Sequence, residues 1–110
     1  LLNLAVNAVQ AMPQGGTLRL ATDVARDGRA RLRVSDTGTG IPPEQLARIF
    51  DLYFTTKKGG SGIGLSMVFR TVQLHHGDID VESTPGAGTT FVVRLPVEID
   101  HRADLVDVLA

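Results

Sequence analysis

The stretch Asp36-Thr37-Gly38-Thr39-Gly40-Ile41-Pro42 sits where an alternating, strand-like segment gives way to a helix start. A carboxylate closes the strand, two glycines follow at alternate positions, and a proline opens the helix. Such a backbone lets something flat and polar come close, because Gly38 and Gly40 remove side chains where a ring would pack. A buried carboxylate is a strong acceptor for an exocyclic amine such as adenine's. On these residues alone an ordinary strand-to-helix turn fits equally well, with Asp36 capping amides and the glycines supplying positive φ.

Working outward, Ala30, Leu32 and Val34 alternate with Arg29, Arg31 and Arg33. Leu18, Leu20, Thr22 and Val24 alternate with Arg19 and Asp23 within the segment Thr17 to Ala25. Arg26-Asp27-Gly28 lies between the two segments, and Asp-Gly is a strong hairpin signal. Two antiparallel strands with one solvated face are expected. Residues 1–12 read as a helix, with Leu1, Leu4, Ala5, Ala8 and Met12 on one face, stopped by Pro13-Gln14-Gly15-Gly16. Downstream, Pro42-Pro43-Glu44 opens a short helix with Leu46, Ile49 and Phe50 on its apolar side. Asp51 to Ser61 reads as a loop, expected to be mobile without a ligand because little after Phe54 is apolar. Gly62 to His75 reads as a helix around Leu65, Val68, Phe69 and Val72. A second hairpin follows, Asp78 to Ser83 and Thr89 to Pro96, turned by Thr84-Pro85-Gly86-Ala87-Gly88.

Hairpins rather than crossovers join the paired strands. The expected fold is therefore an α+β two-layer sandwich, with a mixed, largely antiparallel sheet covered on one face by helices. A doubly wound dinucleotide fold would need parallel strands with helices on both faces. Residues 1–97 read as one domain and 98–110 as a tail or linker. Leu1-Leu2-Asn3-Leu4 is already helical without a cap, so the fold is expected to be N-terminally truncated.

Composition excludes several classes. The chain has 110 residues, a net charge of -1 and no cysteine. Disulfides and thiolate metal sites are ruled out, and there is no electrostatic case for nucleic acid or an anionic membrane. No apolar run approaches the roughly 20 residues that span a bilayer. No secretory signal is present. The expected location is the cytoplasm, whether or not the parent protein is membrane-anchored.

Four further features carry chemistry. Gly60-Ser61-Gly62-Ile63-Gly64-Leu65 leads into a helix, where free N–H groups and the helix dipole suit phosphates. It lacks the Gly-Lys-Ser/Thr ending of a P-loop, and a hinge is the plain alternative. Asn3 and Asn7, one helical turn apart, offer hard amide oxygens of the kind Mg²⁺ accepts beside phosphates and water; a polar helix face is the alternative. Lys57 and Lys58 could reach a terminal phosphate as point charges, or be solvated loop charges. Phe50, Tyr53 and Phe54 could anchor a lid or plug the core. His75 and His76 stand at a helix end, where a cation favours the dipole, and are assigned that structural role.

The order and spacing of these signals are more specific than any one of them. Asn-(x)3-Asn-Ala, Asp-x-Gly-x-Gly-Ile-Pro, Phe-(x)3-Phe-Thr-Thr-Lys and Gly-x-Gly-x-Gly-Leu, in this order, resemble the ATP-binding catalytic domain of sensor histidine kinases. That group lies within the wider set of DNA gyrase, Hsp90 and MutL ATPases. The resemblance runs from about Leu1 to Pro96. It implies a Bergerat-type fold, ATP and Mg²⁺ as ligands, and transfer of the γ-phosphoryl group to a histidine in a two-component phosphorelay. It implies Asn7 as the Mg²⁺ ligand with Asn3 in support, and Lys57 with Asn7 as the catalytic pair. The remaining nucleotide contacts it implies are Asp36 on the adenine amine, Gly38, Gly40, Ile41, Phe50, Phe54, Thr56, the second glycine box at Gly60, Ser61, Gly62, Ile63, Gly64 and Leu65, and Thr89. The implied partners are a histidine-bearing dimerisation domain of the same parent protein, through which a homodimer forms, and a response regulator.

There are departures. Asp51-Leu52-Tyr53 stands where related kinases often carry Glu-Pro-Phe, which alters lid shape more than chemistry. The helical domain with the phosphorylated histidine is missing, and His75 and His76 do not lie in its context. Gyrase- and Hsp90-type ATPases, like anti-sigma-factor serine kinases, carry a glutamate one turn before the magnesium asparagine. Here that position is Asn3, and an amide cannot act as a general base near neutral pH. This weakens the hydrolase alternative. A nucleotide-binding module without turnover is the third alternative.

Overall fold

Two hairpins meet at the centre of one sheet. In the computed structural model, which describes residues 1–51 and 64–96, β1 (Leu18–Val24) pairs with β2 (Ala30–Asp36), and β3 (Asp78–Thr84) pairs with β4 (Gly88–Leu95). The hairpins join through β2 and β4, giving the order β1-β2-β4-β3 with every neighbouring pair antiparallel. The sheet, expected to be mixed or antiparallel, is thus antiparallel throughout the described residues. Helices α1 (Leu2–Gln10) and α3 (Gly64–Leu74) pack on one face and on each other, and a single turn, α2 (Pro43–Leu46), follows β2. The two-layer α+β sandwich is the observed architecture.

Period-two alternation explains the core. Leu32, Val34, Ile79, Val81, Phe91, Val93 and Leu95 share the helix-facing side and pack with Leu4, Ile49, Val68 and Val72. Phe91, Leu4, Val34 and Val93 are its most completely buried large side chains. The first helix ends earlier than its apolar period suggests. Ala11 N–H is shared between Asn7 O and Ala8 O, and Met12 N–H turns to Val9 O, so the last turn tightens before Pro13.

One expectation for β1 changes. Leu18, Leu20 and Val24 point to the same side as the core, yet β1 is exposed along its whole length, with Val24 67% exposed. Leu2, Val6 and Val9 on the outer flank of α1 are exposed as well. Alternation marked the correct face, but α1 approaches β1 only sparsely and leaves it exposed.

The opposite face is ionic. Arg31 grips Asp23 with Nε and Nη2, both at 2.6 Å, and Arg94 Nη1 bridges Asp78 (2.9 Å) and Asp80 (2.5 Å). Arg29 donates to Asp27 and to Asp78. The hydrogen bond from Arg31 holds the Asp23 carboxyl below the usual range, and that from Arg29 does the same for Asp78. All are exposed enough for solvent and salt to weaken them.

Helix α3 stops at the two histidines. Gly77 N–H reaches Val72 O at 2.9 Å and His76 N–H reaches Gln73 O at 3.0 Å, with His76 in the left-handed region at φ 61. This pair of hydrogen bonds closes the helix end in the manner usually left to glycine at the left-handed position. Here the glycine comes one residue later, because a Cβ at Gly77 would lie 2.2 Å from Arg94 O. The expected tail, 98–110, and the helix start before Gly64 lie outside the described residues.

Candidate functional site

The loop after β2 is clamped on both sides. Asp36 Oδ1 accepts the Gly38 N–H at 2.9 Å, which bends the chain sharply out of the strand. Thr39 N–H then bonds to Ala11 O at 3.0 Å, fastening the loop to the end of α1. Gly86 N–H bonds to Thr39 O at 2.8 Å, fastening it to the β3–β4 turn. The approaches are too close for side chains. A Cβ at Gly38 would meet Ala11 O at 2.2 Å, and one at Gly40, with φ +74, would meet Thr84 O at 2.3 Å. The glycine spacing read as room for a ring has a nearer cause in this backbone-to-backbone contact.

Asp36 is 7% exposed and lies directly opposite Thr89, which is 4% exposed, across the β2–β4 pair. Thr89 in turn lies opposite Ser83 on β3. Ser83 Oγ is 2.8 Å from Thr89 Oγ1, accepts Ile41 N–H at 2.7 Å and donates to Gly88 O at 3.1 Å. A carboxylate and two hydroxyls therefore form one polar row at the end of a largely apolar sheet face.

Asn3 and Asn7 occupy α1, Asn3 exposed and Asn7 half-buried. The start of α3 lies beside Asn3, since a Cβ at Gly64 would sit 3.8 Å from Asn3 Oδ1. Leu65 and Ile41 pack against the core rather than standing clear of it. Phe50 does the same. Its ring stacks on Phe69 (centroids 5.3 Å apart) and meets Phe91 edge-on at 6.3 Å, which favours the plug over the lid anchor for this residue. The structure thus gathers Asp36, Gly38, Gly40, Ile41 and Thr89 at one end of the sheet, beside the C-terminal end of α1, and brings Asn3 and Gly64 together at the N-terminal ends of α1 and α3. Phe54, Thr56, Lys57, Gly60, Ser61, Gly62 and Ile63 lie outside the described residues.

Residues 1–99 match the family model described as histidine kinase-, DNA gyrase B- and HSP90-like ATPase. The chain belongs to this family. Within it, the sensor histidine kinase ZraS of Klebsiella oxytoca is 46% identical over 97 residues, covering 88% of this chain and 21% of that protein. The signal transduction histidine-protein kinase AtoS of Escherichia coli (strain K12) is 42% identical over 88% of this chain and 16% of its own length. The chain spans about a fifth of the length of these curated relatives. Among solved structures, full-length ShkA in complex with AMPPNP superposes with a TM-score of 0.78 at 36% identity, covering 86% of this chain and 20% of that one. The mycobacterial sensor histidine kinase MprB gives 0.78 at 31% identity, over 86% and 68%. The antiparallel sheet with helices on one face is thus the histidine kinase ATP-binding fold.

Ser83 is the residue of this polar row that motif reading passed over. Its signal was present: Ile79, Val81 and Ser83 occupy successive inward positions of β3, and a hydroxyl where the period calls for an apolar side chain needs partners.

Proposed function

We propose that this chain binds Mg-ATP and donates the γ-phosphoryl group to a histidine on a separate dimerisation domain, as the catalytic part of a sensor histidine kinase. The observation that carries this reading is the buried Asp36–Thr89 pair, polar groups held at the mouth of an apolar face in a family of ATPases. Asp36 accepts the adenine amine with the carboxylate oxygen not engaged by Gly38. The complex of ShkA with AMPPNP supports an adenine nucleotide as the ligand.

Asn7, with Asn3 in support, supplies neutral hard oxygens of the type that fit Mg²⁺. A bound Mg²⁺ would neutralise phosphate charge. Loop N–H groups from Gly60 to Gly64 and the Lys57 ammonium cradle the phosphates, so catalysis on this side is positioning and electrostatics. Asn3 cannot activate water, which directs the γ-phosphoryl group to an external nucleophile rather than to hydrolysis. In this reading residues 1–97 form the nucleotide domain, the parent protein dimerises through its helical domain, and a response regulator receives the phosphoryl group in the cytoplasm.

The test combines calorimetry with labelling. Mg-ATP should bind the chain and lose affinity when Mg²⁺ is chelated. With γ-labelled ATP, acid-labile label should appear on an added histidine-bearing dimerisation domain and not on this chain. Phosphate release without transfer would instead select the hydrolase.

A further inference from the structure

We infer that Ser83 is a positioning residue that sets the polarity of the Thr89 hydroxyl, and through it the preference for a 6-amino over a 6-oxo purine. This rests on the reading above, in which Asp36 and Thr89 face the base. The cross-strand register aligns Ser83, Thr89 and Asp36 on one row across β3, β4 and β2.

Hydroxyl accounting makes the case. A serine hydroxyl has one proton and two lone pairs. Ile41 N–H can only donate, and it approaches Ser83 Oγ at 2.7 Å. Gly88 O can only accept, and it lies 3.1 Å away. Serving both uses the Ser83 proton and one lone pair. The remaining lone pair takes the proton of Thr89, whose Oγ1 is 2.8 Å away. Thr89 then turns only lone pairs toward Asp36, itself an acceptor. Two acceptors side by side suit the N–H protons of an exocyclic amine. A 6-oxo group brings a lone pair instead and is repelled by both. Without Ser83 the Thr89 hydroxyl is free to rotate and donate to that oxygen, so discrimination falls even though no residue touching the base has changed.

The test measures Mg-ATP and Mg-ITP affinities of the full chain by calorimetry for wild type, Ser83→Ala and Ser83→Thr. Wild type should prefer ATP. Ser83→Ala should narrow the ATP-to-ITP ratio by about tenfold, the equivalent of one net hydrogen bond. Ser83→Thr keeps the hydroxyl and should restore the wild-type ratio. Ser83→Cys fills the same space with a weak acceptor and should narrow the ratio as alanine does, which keeps the test valid should Ser83→Ala not fold. An unchanged ratio in the alanine and cysteine variants, or an equal loss of both nucleotides, overturns the inference while leaving nucleotide binding intact as a reading. Wild-type protein that binds neither nucleotide overturns the proposed function, and the inference with it.

Discussion

Asp36 on β2 and Thr89 on β4 face each other at the last rung of the central strand pair, and both are buried. Directly opposed residues bring their Cβ atoms to within about 4.5–5.5 Å, so a carboxylate and a hydroxyl from distant parts of the chain address the same small volume. Asp36→Asn keeps an oxygen for the Gly38 N–H and so preserves the turn, but it replaces the charged acceptor. ATP affinity should fall by about 10- to 100-fold, the range expected for a charge-assisted hydrogen bond. Calorimetry reads the affinity, and a melting curve close to wild type confirms that the fold is kept. Unchanged affinity would remove Asp36 from the base site.

The metal assignment has its own readout. Asn7→Asp replaces a neutral oxygen donor with an anionic one on the face of α1. The Mg²⁺ concentration dependence of ATP binding should shift, while binding of nucleotide in excess chelator should change much less. If Mg²⁺ dependence is the same in both proteins, Asn7 does not hold the metal.

Glycines in similar conformations should respond differently to substitution. Gly88 has φ +127, and a Cβ there would lie 2.0 Å from Asp36 O, inside the β2–β4 junction. Gly28 has φ +88 in the first hairpin turn and meets nothing within 4 Å. Gly28→Ala should cost about 1–2 kcal/mol, from backbone conformation alone. Gly88→Ala should cost clearly more, because the strands must part to admit the methyl group. Urea midpoints of the two variants compare them directly, and equal costs would contradict the close approach.

Phe91 is 1% exposed and lies between β2 and β3 partners while its ring meets Phe50. Phe91→Ala should destabilise the fold by about 3–5 kcal/mol. A loss below about 1 kcal/mol in chemical denaturation would show that the core lies elsewhere.

The ionic face sets a pH dependence. Arg31 lowers the Asp23 carboxyl, and Arg29, then Arg94, lower that of Asp78. A depressed folded-state value means that the stabilisation is fully present above the ordinary carboxylate range of about 4. It is lost as pH falls through that range and on through the lowered value. Denaturant midpoints measured from pH 7 to pH 2.5 should drop across this window, and Asp78→Asn should flatten the drop. Because these pairs are exposed, added salt should shrink the effect. A profile untouched by either change would leave the ion pairs without weight.

How much was legible differs from one element to the next. The strands were readable because alternation of two is local: Leu32 and Val34 declare a face without knowing their partners. Asp27-Gly28 and the run Pro13-Gln14-Gly15-Gly16 marked their turns through backbone preferences that each residue carries by itself. The family motifs were readable for the same reason, as fixed spacings within short windows. The join of the two hairpins through β2 and β4 was not, since no local period specifies which strand lies beside which.

The sequence by itself determined the element types, the inward face of each strand, and the candidate residues Asn3, Asn7, Asp36 and Thr89. Only the tertiary structure decided that Gly38 and Gly40 are demanded by the carbonyls of Ala11 and Thr84, that Phe50 plugs the core, and that Ser83 ties Ile41, Gly88 and Thr89 together. The physical reason is common to all three. Conformational preference and hydrophobic period belong to a residue and its neighbours along the chain, whereas close approach and hydrogen-bond polarity belong to pairs of atoms that meet only after the sheet has assembled.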